Sequence, residues 1–281
     1  MLEIKIKNQK NEEISLTQNP NYSLMSVEGM DPAAAMIGTA ASATMDGSVF
    51  RSAKIGERNI VILIAVEEPC EKNRVDLYRY VRTKKELTVY VKNEERDVYI
   101  NGYAEAMPIG FFEQKETVQI SIICTDPYFR DVEKTSVSIS GTESLFEFPF
   151  SIPEEGIEFS SISENTEKDI INRGDAEVGA IFRLYASAPT KNPSIYLPFL
   201  NIAFFLEISM IAGDEIVINT IKGQKIVKLI RNGIETNIIN TLKFGSKWLQ
   251  LEPGQNRIGY LAEPADSLTC MIEFNALYEG V

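Results

Sequence analysis

The sequence of 281 residues contains no histidine. Histidine is the side chain whose ordinary pKa lies closest to neutral pH, so its absence excludes Ser-His-Asp and Cys-His catalysis and the usual zinc enzymes. No glycine-rich segment leads into a Lys-Ser or Lys-Thr pair, so the phosphate-binding loop of nucleotide hydrolases is missing too. These absences predict that the chain is not an enzyme and uses no cofactor.

Cysteine and basic charge are also scarce. Cys70, Cys124 and Cys270 stand far apart with no paired spacing, which argues against a zinc finger or a disulfide framework, and we expect free, buried or half-buried thiols. The net charge is −12, and residues 1–130 carry 16 basic and 19 acidic groups, against 12 and 21 in residues 131–281. Because phosphate contacts need Lys and Arg, this balance predicts no specific nucleic-acid binding.

Long apolar runs are absent as well. The longest, Ile60–Val66 and Ile202–Leu206, have the length of a strand and are far too short to span a membrane. The first ten residues lack the apolar core of a signal peptide. We therefore expect a soluble chain without a membrane partner, made in the cytoplasm.

Short strand patterns fill residues 1–130. One helix is predicted after Pro69, with acids before its apolar stripe and Lys84-Lys85 after it. Its predicted apolar stripe consists of Val75, Leu77, Tyr78 and Val81. Ile60–Val66 is apolar at every position, which indicates a strand buried on both faces. The other predicted strands are Leu2–Lys7, Tyr22–Val27, Ser48–Ala53, Leu87–Val91, Arg96–Glu105 and Thr117–Cys124.

One segment of this half fits no regular pattern. Ala33–Met45 is rich in small residues and has neither helix caps nor strand alternation, so we expect an extended arm or a long hairpin loop. Asp46-Gly47 follows it as a hairpin turn signal. The acidic Glu113–Glu116 patch is interpreted as a solvated loop.

The polar stretch after Asp131 marks a predicted boundary, which gives domains 1–130 and 131–281. Many short strands separated by turn signals, without a helical pattern between them, indicate a β-sandwich in the second domain. The predicted strands are Ser136–Ser140, Leu145–Phe150, Gly156–Ser160, Ile170–Asn172, Ala180–Ala186, Ile195–Leu197, Ala203–Ile208, Asp214–Asn219, Ile226–Ile230, Trp248–Leu251, Asn256–Leu261 and Thr269–Phe274.

Carboxylates are the remaining candidates for catalysis. A glycosidase needs only two of them, and we consider the pairs Glu154-Glu155 and Glu263 with Asp266. Both pairs stand in hydrophilic turns, where solvated acids are the ordinary interpretation.

Two residues are candidates for ligand binding. Asp214 could ligate calcium, but no DxDxDG loop is present, and a role in the turn after Gly213 fits better. Trp248 is the only tryptophan; it could be a stacking platform for a sugar, although its apolar context favours a place in the core.

A series of short motifs stands in a fixed order along the chain. In the first half they are Tyr22-Ser23-Leu24, Val27–Pro32, Asp46–Phe50, Arg58-Asn59-Ile60, Leu77–Tyr80, Tyr99–Tyr103, Gln119–Ile122 and Asp126–Phe129. In the second half they are Asn172–Asp175, Gly213–Thr220, Trp248–Asn256 and Tyr278–Val281. In these motifs and their order the chain resembles the distal tail proteins of long-tailed, non-contractile phages.

The resemblance implies a split-barrel-like β domain with one α-helix, which assembles with itself into a hexameric ring, and a galectin-like sandwich that projects outward. It implies a structural protein of the virion tail tip, encoded by a phage or a prophage. The ring would be a hub that joins the tail tube protein to the tip or baseplate. Its partners would include a tail-tip or tail-associated protein and a receptor-binding protein, and DNA would pass through its channel without being bound.

Two alternatives from other functional classes stay open. A carbohydrate-binding module would contact host cell-wall polysaccharide through an exposed Trp248 or a tyrosine platform, and saturable binding to the polysaccharide would identify it. A cell-wall glycosidase would need two carboxylates across a cleft, and zymography would reveal it.

Overall fold

The computed structural model describes residues 2–41, 44, 46–110, 115–140, 142–144, 160–162 and 166–281. Within these ranges the chain is mainly β with one α-helix, as the sequence predicts. It divides into two units, which are described separately here. Unit 1 comprises Met1–Glu133 together with Leu277–Val281, and unit 2 comprises Lys134–Ala276.

The elements of residues 2–133 are β1 (Glu3–Asn8), β2 (Glu13–Ser15), β3 (Tyr22–Glu28), β4 (Ala35–Ala41), β5 (Ser48–Ile55), β6 (Arg58–Val66), α1 (Cys70–Tyr80), β7 (Glu86–Lys92), β8 (Asp97–Ala106), β9 (Ile109–Gly110), β10 (Thr117–Cys124) and β11 (Phe129–Asp131). Unit 2 contains β12 (Thr135–Ser140), β13 (Thr142–Ser144), β14 (Ser160–Ile162), β15 (Glu167–Asn172), β16 (Ile181–Ala186), β17 (Thr190–Leu197), β18 (Ile202–Phe205), β19 (Ser209–Met210), β20 (Glu215–Asn219), β21 (Ile226–Arg231), β22 (Ile234–Asn237), β23 (Gly254–Glu263) and β24 (Leu268–Phe274). Short 3-10 helices span Pro198–Leu200, Ile239–Thr241 and Ala265–Ser267, and β25 (Leu277–Tyr278) belongs to unit 1.

Unit 1 is built on an antiparallel sheet with the strand order β2-β1-β7-β8-β10-β6-β3, and β11 joins β8 to β25. Alternate residues of the central strands are fully buried, among them Ile62 and Ile64 of β6 and Ile120 of β10. Val61 and Leu63 are only half-buried. The prediction that Ile60–Val66 is buried on both faces is therefore wrong for these two positions.

Helix α1 is confirmed, and two residues of its predicted apolar stripe, Leu77 and Val81, are buried. Asn73 and Leu77, four residues apart and so on one face, are its buried residues, whereas Val75 is 53% exposed. The Asn73 amide can lie inside because it donates to the Glu67 carbonyl at 2.8 Å. The helix ends at Tyr80, so the two predicted C-terminal lysines lie beyond it.

Unit 2 contains two larger antiparallel sheets. One has the order β12-β24-β16-β20-β21-β22, and the other has the order β15-β23-β17-β18, with β19 on β17. Both sheets bury alternate residues, such as Phe182 and Leu184 of β16 and Ile258 and Tyr260 of β23. This alternation indicates a sandwich with its core between the sheets, while the galectin-like detail stays a prediction.

Several predicted strands of this half need correction. Trp248–Leu251 is not a strand. Leu251 forms only an isolated bridge with Val178, and the Asn172 side-chain amide donates a hydrogen bond to the Leu251 carbonyl. β22 escaped prediction because all four of its residues are exposed, so it shows no alternation. The predicted strands Leu145–Phe150 and Gly156–Ser160 lie outside the described residues, except for Ser160.

Candidate assembly surfaces

Of the four carboxylate candidates, the structure describes Glu263 and Asp266. Glu154 and Glu155 lie outside the described residues. Glu263 is exposed at the end of β23, and Asp266 is exposed in the 3-10 helix that follows. Over the part of the chain that the structure describes, no cluster of three or more Cys, Asp or Glu residues could hold a metal ion.

Asp214 and Glu116 each form an ion pair with an arginine. Asp214 is 2% exposed and accepts hydrogen bonds from the Arg231 guanidinium at 2.8 and 2.6 Å and from the Ile211 amide at 2.8 Å. The bond from Arg231 holds the pKa of the Asp214 carboxyl below its usual value. Glu116 of the predicted solvated loop pairs with Arg74 of α1 at 2.5 Å, with both side chains largely covered, so that prediction is wrong for this residue.

Trp248 lies half-buried in unit 2. Its ring packs against the buried Phe204, with ring centres 5.1 Å apart and tilted, and the Lys225 ammonium lies 5.4 Å from the Trp248 ring centre. The tryptophan thus takes part in the packing of the sandwich. Its role as a sugar platform stays a prediction.

The cysteines are free thiols, as the sequence predicts. Cys124 and Cys270 are fully buried, and burial raises the pKa of each thiol to about 12. Cys70 is half-buried at the start of α1.

Arg58, at the start of β6, contacts several segments of unit 1. Its guanidinium is 4% exposed and donates to four backbone carbonyls, which belong to Pro127 (2.7 Å), Gly29 (2.6 Å), Asp31 (2.6 Å) and Glu279 (2.5 Å). It also lies over the Phe129 ring, 4.8 Å from the ring centre. We call this group of residues the Arg58 cluster.

The tail segment, Leu277–Val281, is fixed to unit 1 at several points. β25 pairs with β11, so that Tyr278 lies opposite Phe129. Arg96 donates to the Gly280 carbonyl and lies over the Tyr278 ring, and the Val281 amide donates to the Met30 carbonyl at 3.0 Å. The tail segment therefore completes the first unit although unit 2 lies before it in the sequence.

Four of the short motifs that carry the resemblance meet at the Arg58 cluster: Arg58-Asn59-Ile60, Val27–Pro32, Asp126–Phe129 and Tyr278–Val281. The sequence alone did not indicate that these four motifs lie close together. The available signal was a charged residue two positions before the apolar run Ile60–Val66. Such a residue indicates a buried charge but names none of its acceptors, because they are backbone carbonyls.

The second notable surface of unit 1 is the hairpin of β4 and β5, which we call the ribbon. Its strands pair only with each other among the described strands, from Ala35↔Ile55 to Ala41↔Ser48, with Arg51 as the extra residue of a bulge. The predicted arm is therefore a paired strand over Ala35–Ala41, and the predicted strand after Asp46-Gly47 extends to Ile55.

The ribbon exposes large apolar side chains. Phe50 is 63% exposed, Met36 57%, Ile37 56% and Val49 47%. Most of the other side chains in its strands are Ala, Gly, Ser or Thr, which let another chain approach closely. Among the residues of unit 1 that the structure describes, these apolar side chains stay uncovered, and an exposed apolar ribbon of this kind favours association with another molecule.

A third surface is a groove of about 620 Å³ in unit 2. The exposed Phe205 lines it together with Glu207, Lys243 and Glu263, and the Lys243 ammonium lies 3.5 Å from the Glu207 carboxylate. The groove can accommodate a polar ligand or a segment of a partner. Trp248 is not among its lining residues.

Within the described residues, no helix is long and apolar enough to cross a membrane. No curated protein matches the sequence. Residues 173–278 match the family model "Siphovirus-type tail component, C-terminal domain".

Solved structures of phage proteins share the fold. The chain matches the SPP1 Dit protein, described as a paradigm of the hub adsorption apparatus in Gram-positive infecting phages, with 12% identity and a TM-score of 0.69 over 97% of this chain and 98% of that one. It also matches chains of the phage P2 baseplate in its activated conformation with Ca (13% identity, TM-score 0.57) and with Sr (13%, 0.54), over 100% of both chains in each case. Residues 173–278 are therefore similar to the C-terminal domain of siphovirus-type tail components, and the chain shares its fold with the SPP1 Dit protein.

Proposed function

We propose that the chain is the structural subunit of a distal tail hub, in which copies of unit 1 close into a hexameric ring and unit 2 projects outward. The hub joins the tail tube protein to a tail-tip or tail-associated protein, and it offers a place for a receptor-binding protein. It acts as a scaffold and not as an enzyme, in the virion of a phage or prophage, and its subunits are made in the host cytoplasm.

The observation that carries the proposal is the ribbon. Burial of a side chain such as Phe50 stabilises a protein by about 1.5–3 kcal/mol, and this stabilisation is missing in the single subunit. Closed rings of identical subunits use one patch on each copy against a different patch on the next. The fold shared with a hub protein and the family match of unit 2 support the same role.

The charge of the chain fits a ring around DNA. The net charge of −12 does not attract the phosphate backbone, so DNA can pass through the channel without being held. Specific DNA binding is therefore not part of the proposed function.

The test is the mass of the particle in solution, measured by light scattering and viewed by negative-stain microscopy. We expect closed rings for the unaltered chain. Phe50→Ser should lower the association constant of the subunits about tenfold or more, since a loss of about 1.4 kcal/mol per contact corresponds to a factor of ten. Phe244→Ser is the matched control, because Phe244 is 102% exposed in unit 2, outside the ribbon.

A strict monomer at all concentrations would contradict the proposal. Loss of the ring through Phe244→Ser, with Phe50→Ser unaffected, would place the contact on unit 2 and contradict the assignment of the ring to unit 1.

A further inference from the structure

The ribbon has two faces, and the register assigns its residues to them. Side chains of directly paired residues share a face, and successive residues of a strand alternate between faces. The Ile37 face carries Ile37, Thr39, Phe50, Ala53 and Ile55, and the Met36 face carries Met36, Ala40, Val49, Ser52 and Lys54.

Both faces are equally uncovered. Ile37 (56% exposed) and Phe50 (63%) lie on one face, while Met36 (57%) and Val49 (47%) lie on the other. A hairpin that rested on its own unit would show one buried and one exposed face. A two-stranded hairpin without a covered face is at best marginally stable in water, so the ribbon needs cover from outside its own chain.

The chemistry of the faces indicates what covers them. Neither face is polar, so the ribbon lacks the charged side by which an amphipathic element rests on a lipid surface. The only charged side chains of residues 35–55 are Arg51, Lys54 and Asp46, which makes the ribbon basic on a chain of net charge −12. Another copy of this chain supplies the acidic surface that such a ribbon attracts.

We infer that in the assembled ring the ribbon of each subunit is buried on both faces by copies of the same chain, and that it becomes fully ordered only on assembly. This inference rests on the proposed ring. The small side chains of both faces allow flanking elements to approach to about the 10 Å spacing of packed sheets. The ribbon is then packed on both faces and not on one face only.

Cysteine labelling tests each face separately. Met36→Cys and Ile37→Cys are adjacent, equally exposed and on opposite faces, and Ile234→Cys in β22 of unit 2 (69% exposed) is the control. The background is Cys70→Ser, because Cys124 and Cys270 are fully buried with a raised pKa and do not react. In the ring we expect maleimide to label positions 36 and 37 at least tenfold more slowly than position 234.

If the first pair impairs assembly, Thr39→Cys and Ala40→Cys probe the same two faces with smaller changes. A ring in which one face is labelled as fast as position 234 overturns this inference and leaves the proposed function intact. A chain that never forms a ring overturns both. Slow labelling of the diluted subunit at both positions on addition of phosphatidylcholine vesicles would assign the ribbon to a lipid surface instead.

Hydrogen exchange supplies the second measurement. In the diluted subunit the amides of Ala35–Ala41 and Ser48–Ile55 should exchange at least a hundredfold faster than those of Thr117–Cys124 in the central sheet. In the ring the ribbon amides should approach the protection of that strand. Equal ribbon exchange in both states would contradict ordering on assembly.

Discussion

Arg58 holds three other backbone segments against the start of β6. A buried guanidinium is tolerated when its donors are satisfied, and here the acceptors are carbonyls of the Gly29–Asp31 turn, Pro127 and the tail segment. Burial lowers the pKa of Arg58 from its usual value. Because the usual pKa of arginine lies far above neutral pH, the side chain stays charged. Gly29, with φ +83°, lets the turn approach: a Cβ there would lie 2.1 Å from the Asn59 carbonyl oxygen.

Arg58→Met keeps the apolar stem and removes every donor. We expect the free energy of unfolding of unit 1 to fall by about 3 kcal/mol, because several buried carbonyls lose a charged partner at once. Arg58→Lys should lose less, since an ammonium retains the charge and up to three donors. Urea unfolding followed by far-UV circular dichroism measures the change.

The control for this prediction is Arg130→Met. Arg130 pairs with Asp126, whose side chain is 46% exposed, so its loss should change stability far less. If Arg58→Met and Arg130→Met were equally mild, the Arg58 cluster would have no special part in stability.

Asp214 makes the stability of unit 2 depend on pH. The hydrogen bond from Arg231 lowers the pKa of Asp214 in the folded state, so this contribution is present above the unfolded pKa of about 3.9 and is lost as pH falls through the folded pKa. Asp214→Asn should reduce the free energy of unfolding at pH 7 by about 1–2 kcal/mol. The difference from the unaltered chain should shrink below about pH 4.

Trp248 fluorescence during urea unfolding at pH 7 and pH 3 measures this difference within unit 2. Asp169→Asn is the matched control, because the Asp169–Arg257 pair has the same two-bonded geometry at an exposed site. An equal loss from both variants would show that the burial of Asp214 has no influence.

At the scale of elements, the sequence predicted those strands whose residues alternate between apolar and polar or that are bounded by a turn signal. Thr117–Cys124 was predicted with its exact bounds, and Leu87–Val91 lies within the observed β7. Periodicity failed where burial does not alternate. Ala35–Ala41 is exposed or half-buried along its whole length, and so it carries no pattern of a face.

Helix α1 illustrates a different limit. Its position followed from the acids and Pro69, but its buried face includes Asn73, which no hydrophobic pattern identifies. The Glu67 carbonyl that satisfies this amide becomes a neighbour only in the folded chain. Apolar spacing therefore located the helix and Leu77 on its buried face, but not Asn73.

The assembly surfaces could be predicted only in outline. The arm at Ala33–Met45 was visible as an oddity of composition, but its two faces depend on the register with β5 and on the bulge at Arg51. The Arg58 cluster depends on contacts between residues more than two hundred positions apart, such as Arg58 and Glu279. Such pairs leave no local signal in one sequence.

At the scale of the whole molecule, the tail segment separates the order of the sequence from the order of the units. A variant that ends at Ala276 should lose the β11–β25 pairing and one acceptor of Arg58, and unit 1 should become less stable by about 2–4 kcal/mol. Unit 2 should keep its own transition, because its strands and core are complete without the tail segment.

Circular dichroism observes both units, whereas Trp248 fluorescence observes unit 2 alone. We expect the variant to show an early transition by circular dichroism and an unchanged transition by fluorescence. Coincident early transitions by both probes would contradict independent folding of the units.

Because Leu277–Val281 belongs to unit 1, that unit is completed only after unit 2 has been translated. Residues 2–133 leave the ribosome first, yet their sheet lacks β25 and the last acceptor of Arg58 until unit 2 has been translated. At about 5–20 residues per second this leaves roughly 7–30 s in which unit 1 is unfinished. A nascent or prematurely terminated chain would therefore present an incomplete unit 1.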